Sequence, residues 1–205
     1  MPSARATTEQ GRERQQQLLD SAARLFADRG YSATRVSDIC AGAGVAKGLF
    51  YWYFDSKESL FGELARTMRQ QLRRAQAAAM AGIDDPVDRL RLGTEASVRF
   101  MADHVAFFEL LDVERGVQRV DDVARESSAI YLADTERLVA EAQAAGLVPD
   151  DADPHLVALG VVSTVGQFGA HHRAGRVSMD VDELARFVGG WILRAIGAGS
   201  RTATT

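Results

Sequence analysis

The chain has 205 residues, 46% of them apolar, with four prolines and a single cysteine. That suffices for one large domain or two small ones with a sizeable core. Cys40 alone excludes an intrachain disulfide and a multi-cysteine zinc site, and no apolar run approaches the roughly 18 residues of a membrane-spanning helix.

The net charge of −4 hides an asymmetry. Residues 1–81 carry 12 Lys/Arg and 8 Asp/Glu, whereas residues 82–205 carry 12 and 20. Both lysines, and eight of the 15 aromatics, lie in the first part. A basic, aromatic-rich front joined to an acidic back predicts two tasks. Residues 1–10 are polar and read as a disordered tail. They lack the apolar stretch of a signal peptide, so the expectation is a cytoplasmic protein.

In chain order, the first helix begins near Arg12, with Leu18, Leu19, Ala22, Leu25 and Phe26 at helical spacing, and stops at Gly30. Thr34 is placed to N-cap a second helix carrying Val36, Ile39 and Cys40 on one face. Gly42 and Gly44 end it, and a third helix follows from about Val45 to Tyr53. Asp55 and Glu58 have capping-box spacing for a fourth helix that runs through Leu60, Leu64, Met68 and Leu72 to about Ala81. After the break at residues 82–86, Asp85-Pro86 opens a fifth helix with Leu90, Leu92, Ala96, Phe100 and Met101, which bends or restarts near His104. An apolar segment at Phe107, Phe108, Leu110 and Leu111 ends near Gly116. A long helix spans about Asp121 to Ala145, another runs from Asp153-Pro154 to Arg173, and the last opens near Asp182. No strand-period segment or repeat is present. The predicted fold is all-α with roughly nine helices. Residues 11–57 form a helix-turn-helix domain and residues 58–205 a larger helical domain.

Two short helices joined by a Gly-containing turn match the helix-turn-helix pattern. Its second helix enters the major groove with N-terminal residues facing base edges. Lys47 is then suited to guanine or phosphate, Gly48 to close backbone approach, and Leu49 to a thymine methyl; Arg35 is a further candidate for base contact. Five consecutive aromatics, Phe50 to Phe54, are too many for one buried face. By spacing Val45, Phe50 and Phe54 belong to the core, leaving Tyr51, Trp52 and Tyr53 partly outside to donate to phosphate. Lys57 and the Thr34 hydroxyl complete the phosphate set.

This stretch resembles the TetR family of bacterial transcriptional regulators. The resemblance rests on Thr34, Ile39-Cys40, Ala43-Gly44-Val45, Lys47-Gly48, Phe50-Tyr51, Trp52-Tyr53, Phe54 and Ser56-Lys57-Glu58-Ser59-Leu60, within about 50 residues from Leu18. It implies base contacts from Lys47, Gly48 and Leu49, and phosphate contacts from Thr34, Tyr51, Trp52, Tyr53 and Lys57. The sequence departs from the family pattern at Ala46, Leu49, Tyr53 and Cys40, where a polar residue, Thr or Ser, His and Ala are common.

Beyond Gly82 the resemblance implies only architecture: a ligand pocket and a dimer interface. Phe100, Met101, His104, Phe107, Phe108, Tyr131 and Phe168 are the candidate lining of a mostly apolar pocket. Gly160, Ser163, Gly166 and Ala170 form a stripe of small residues. Together with Phe187, Val188 and Trp191 they are the candidate isologous interface of a homodimer. No nucleophile elbow, phosphate loop or HExxH motif is present. The histidines lack partners at metal spacing, and the Asp clusters sit at helix starts. No enzyme activity, cofactor, metal or membrane association is expected. The implied function is a ligand-responsive regulator, by expectation a repressor. It binds a near-palindromic double-stranded DNA operator as a dimer and is released by a small, mostly apolar effector. The alternatives are an activator or a regulator answering to a protein, and an all-helical enzyme or small-molecule carrier.

Overall fold

The computed structural model describes residues 9–114 and 116–198. Among them it contains nine helices and no strand: α1 Glu9–Arg29, α2 Val36–Ala43, α3 Lys47–Tyr53, α4 Lys57–Ala79, α5 Pro86–Asp103, α6 Val105–Val113, α7 Gln118–Ala144, α8 Pro154–Arg173 and α9 Val181–Ala195. Residues 1–8 of the expected disordered tail lie outside the described residues, and residues 9 and 10 already belong to α1. No described helix is long and apolar enough to cross a membrane.

The chain divides into two compact units, and the division differs from the expected boundary at residue 57. The first unit runs to Met68 and also takes in Ala106–Ala124. The second holds Arg69–Val105 and the described residues from Arg125 on. The start of α4, nearly all of α6 and the start of α7 therefore fold with the helix-turn-helix. The reason is packing: Leu60, Phe61, Leu64, Leu110, Val120 and Val123 are buried in one cluster with Leu18, Phe26, Ile39, Phe50 and Phe54. Fully burying such a side chain contributes roughly 1.5–3 kcal/mol. At the centre Phe26, Tyr31 and Phe61 meet pairwise with ring centroids 5.0–5.8 Å apart.

In the second unit α5 packs against α8 and α9. Two predicted starts occur where the sequence puts them. Asp85 accepts from Val87 N and Asp88 N, and Asp153 accepts from His155 N, each ahead of a proline. The α9 start is shifted: Asp180, not Asp182, is the N-cap, accepting from Glu183 N at 2.8 Å. Asp182 instead pairs with Arg99 of α5 at 2.6 Å. Gly189 allows the close approach of α9 to α5, since a Cβ there would stand 3.1 Å from Glu95 Cγ and 3.2 Å from Arg91 Cγ.

Candidate nucleic-acid interface

The turn between α2 and α3 is three residues long, Gly44-Val45-Ala46. Gly44 has φ +66°, the left-handed conformation in which glycine carries no Cβ penalty. Its N–H donates to Ala41 O at 3.2 Å and that of Val45 to Cys40 O at 3.0 Å, the paired bonds of a Schellman termination. The buried Ser21 hydroxyl donates to Ile39 O at 2.9 Å, tying α1 to α2. The third helix starts at Lys47 rather than Val45. Val45 is partly buried in the turn, against the core.

The aromatic run divides by helical period. Phe50 and Phe54 are buried, and Phe50 lies edge-on to Tyr51 at 5.3 Å. Tyr51 is 46% and Trp52 54% exposed. Tyr53 is half-buried against the core, so the outward set is narrower than the spacing suggested. Lys47, Gly48 and Arg35 are exposed and Leu49 half-exposed. The Lys47 ammonium lies 5.9 Å from the Tyr51 ring centroid, within reach of a cation–π attraction. One exposed face of a seven-residue helix thus carries a cation, a bare backbone position and two polar-tipped aromatic rings. A Cβ added at Gly48 would meet nothing within 4 Å.

Two members of the expected phosphate set, Thr34 and Lys57, have partners inside the unit. Thr34 is buried, and its hydroxyl is directed at Gly30 O (2.8 Å) and Leu25 O (3.2 Å) inside the unit. It is not the N-cap of α2 either. Arg35 holds that position, its N–H donating to Asp38 Oδ2 at 3.2 Å. Lys57 is turned inward. Its ammonium donates to Tyr31 O at 2.7 Å and Thr34 O at 2.9 Å and sits 4.3 Å from the Tyr31 ring centroid. Burial lowers its pKa, against the raising influence of Glu58 and Glu114. Lys57 thus clamps the loop between α1 and α2.

The predicted Asp55–Glu58 cap is replaced by a reciprocal one, Ser59 N donating to Ser56 Oγ and Ser56 N to Ser59 Oγ, each at 3.2 Å. That leaves Glu58 to accept from the Tyr31 hydroxyl at 3.1 Å. Its pKa is lowered chiefly by its own backbone N–H and by Ser56. Burial, then the Glu58 charge, pushes the Tyr31 phenol up. Glu114, which the sequence did not point to, accepts from Ser32 N at 3.2 Å and Ser32 Oγ at 2.7 Å. The 82-residue separation of that pair leaves no local signal.

In the second unit the candidate pocket residues do not converge. Phe100 stacks on His104 at 3.9 Å, and His104 Nδ1 lies 2.9 Å from Phe100 O. Met101 is buried. Phe107 and Phe108 belong to the first unit, where Phe107 lies 6.5 Å from Phe61. Phe168 packs edge-on to Phe187 at 5.8 Å and Trp191 at 6.4 Å. Only Tyr131 of the seven lines a half-open cavity of about 170 Å³ between α4, α5 and α7, together with Gln76, Met80, Leu90, Thr94 and Leu138 among others.

The candidate dimer residues split as well. Val188 is fully buried, not outward. Gly160, Ser163, Phe187 and Trp191 are exposed, Gly166 and Ala170 half-exposed. The outer surface of α8 and α9 is apolar, with Leu156 64%, Leu159 45%, Phe187 40% and Trp191 41% exposed. A Cβ at Gly160 or Gly166 would meet nothing within 4 Å. Leu156 and Leu159 extend the face beyond what the small-residue stripe suggested.

Comparison with known proteins agrees with this geometry. Residues 18–64 match the family described as bacterial regulatory proteins, tetR family. The transcriptional repressor KstR2 of Rhodococcus jostii is 53% identical over 53 residues, 26% of each chain. The regulator AcrR of Shigella flexneri is 43% identical over 61 residues, 30% of this chain and 28% of its own. The chain therefore spans about a quarter of the length of these relatives. Over nearly its whole length it has the fold of FadR from Bacillus subtilis, solved in complex with stearoyl-CoA: TM-score 0.77, 22% identity, 88% of this chain and 98% of that one. The helix-turn-helix segment of the chain, residues 18–64, thus resembles the tetR family of bacterial regulatory proteins, and the chain shares the fold of FadR.

Proposed function

We propose that the protein is a transcriptional repressor that binds double-stranded DNA as a homodimer and is released by a small effector. It is a regulator rather than an enzyme. The observation that carries this reading is the exposed face of α3, on which Lys47, Gly48, Leu49, Tyr51 and Trp52 stand together inside the segment matched to the family. Arg35 stands at the N-terminus of α2. Lys47, Gly48, Leu49 and Arg35 meet base edges, the charged head of Lys47 being suited to guanine O6 and N7. Tyr51, Trp52 and Tyr53 donate to phosphate and hold the helix in register. Thr34 and Lys57 act indirectly, by fixing the loop that sets α2.

A single seven-residue helix reads too few base pairs for genomic specificity, so two copies are needed. The apolar outer face of α8 and α9 supplies the contact. Leu156, Leu159, Gly160, Ser163, Gly166, Ala170, Phe187 and Trp191 pack against the same residues of a second copy across a two-fold axis. Such an assembly reads an inverted repeat. Effector binding in the second unit then acts by population shift, favouring a state whose two heads no longer match the half-site spacing; the shift is limited by the ligand's differential affinity for the two states.

Selection of bound duplexes from a random pool tests this reading. Enrichment of an inverted repeat with half-sites about one or more helical turns apart is expected. A pool that stays random after repeated rounds contradicts it.

A further inference from the structure

Residues 30–35, between α1 and α2, end in Arg35 at the N-cap of α2. Backbone polar groups in such a loop take partners from outside it, and here two distant helices supply them. Lys57 of α4 donates to the carbonyls of Tyr31 and Thr34, one on each side of Ser32. Glu114, one residue past the end of α6, takes Ser32 itself. Glu114 Oε1 accepts from Ser32 N at 3.2 Å and Oε2 from Ser32 Oγ at 2.7 Å. Two acceptors on two donors of one residue fix orientation as well as distance.

The carboxylate is itself held. The Glu114 N–H donates to Leu110 O at 3.0 Å, and its carbonyl accepts from Val117 N at 3.1 Å. Leu110 is buried in the same cluster as Phe26, Ile39 and Phe50. Gly30 leaves room for the contact, since a Cβ there would collide with Glu114 Oε1. Burial lowers the Lys57 pKa, and the charges of Glu58 and Glu114 act against that, so the two clamps of the loop feel each other. Ser32 is exposed and Glu114 half-exposed. A solvated contact of this kind adds little to global stability. Its consequence is geometric: without it the loop keeps Lys57 at two carbonyls and loses the hold on its middle.

We propose that Glu114 is a positioning residue for DNA binding, which fixes the middle of the loop that delivers Arg35 and α2 to the duplex without touching the duplex itself. It lies outside the segment 18–64 that matches the family. The proposal rests on the reading of the protein as a DNA-binding regulator. It also reverses a sign. Removing a negative charge from a surface that meets a polyanion strengthens binding if only the long-range field matters, whereas losing the positioning contact weakens it.

Affinity of the full chain for its selected duplex tests this, in the parent, Glu114→Ala, Glu114→Gln, Ser32→Ala and the double variant Ser32→Ala/Glu114→Ala. Glu109→Gln, at an exposed position of α6, is the charge control. Glu114→Ala is expected to weaken binding at least about 5-fold, the cost of ordering one backbone residue on association, with a urea midpoint close to the parent. Hydrogen exchange at the Ser32 amide is expected to quicken in the same variant. Glu114→Gln loses the charge but keeps one acceptor, so its affinity is expected to lie nearer the parent than that of Glu114→Ala. Ser32→Ala is expected to weaken binding less, and to add nothing in the double variant. Glu109→Gln is expected to bind as the parent or more tightly. Parent-like or tighter binding by Glu114→Ala would overturn the proposal. So would an equal loss in Glu109→Gln, or a Ser32→Ala effect that is the same with and without Glu114. If Glu114→Ala does not fold, parent-like affinity in both Glu114→Gln and Ser32→Ala overturns it instead. A parent chain that binds no duplex contradicts the regulator reading itself, an outcome distinct from a parent that binds and is matched by Glu114→Ala.

Discussion

Lys57 and Thr34 illustrate what a motif conceals at the scale of single residues. Both belong to the pattern by which the helix-turn-helix is recognised, and both carry groups suited to phosphate. The fold uses them internally, Lys57 on the carbonyls of Tyr31 and Thr34 and Thr34 on those of Gly30 and Leu25. Spacing could not reveal this for Lys57, because its partners lie 23 and 26 residues away. Phe50 and Phe54 were legible, because a 3.6-residue period fixes which side of a short helix faces the core. Lys57→Met keeps the apolar stem and removes both hydrogen bonds. It should destabilise the protein by about 1–3 kcal/mol, read as a lower urea midpoint; an unchanged midpoint would contradict the clamp. Glu58 has a lowered pKa. Its contribution to stability is therefore present above the ordinary glutamate value of about 4.3 and lost as pH falls through the lower folded value. In Glu58→Gln the loss of stability on acidification should be shallower than in the parent; parallel curves would show that Glu58 is not coupled to folding.

Among the elements, α9 separates fold from assembly most clearly. One side of it, Leu184, Ala185, Val188, Gly189 and Ile192, is buried, and the other presents Phe187 and Trp191. Phe187, Val188 and Trp191 are all apolar, and the sequence does not divide them by side; Val188 falls on the buried side, apart from Phe187 and Trp191. The ring contacts of Phe168 with Phe187 and Trp191 likewise show why an aromatic at helical spacing was a poor guide to a ligand wall. The cavity lining is mostly small, polar or aliphatic: Gly93, Thr94, Ala77, Leu138. Those residues acquire meaning only from the register between helices. Trp191→Glu and Gly166→Leu should each yield folded monomers in sedimentation velocity at micromolar concentration, with weakened DNA binding. Val188→Asp, which buries a charge without a partner, should lower stability itself by several kcal/mol, roughly the cost of an uncompensated buried ion. A dimer retained by both of the first two variants would remove this face from the proposed assembly.

At the scale of the whole molecule the charge asymmetry needs a finer description than front and back. Residues 1–68 hold nine Lys/Arg and eight Asp/Glu, and residues 106–124, which fold with them, hold two and five. The sequence of the first unit thus sums to −2 rather than to a basic total, so affinity for a polyanion has to come from the exposed face of α3 and its flanks. That local origin makes Lys47 decisive. Binding of the selected duplex and of single-base variants, measured across a series of salt concentrations for the parent, Lys47→Ala and Tyr51→Phe, tests this most directly. Affinity should fall linearly in log–log form with salt. Lys47→Ala should cost about 1–3 kcal/mol per half-site and relax the preference for the parent sequence, while Tyr51→Phe should weaken all duplexes about equally. Parent-like affinity and base preference in both variants would contradict the placement of DNA on α3.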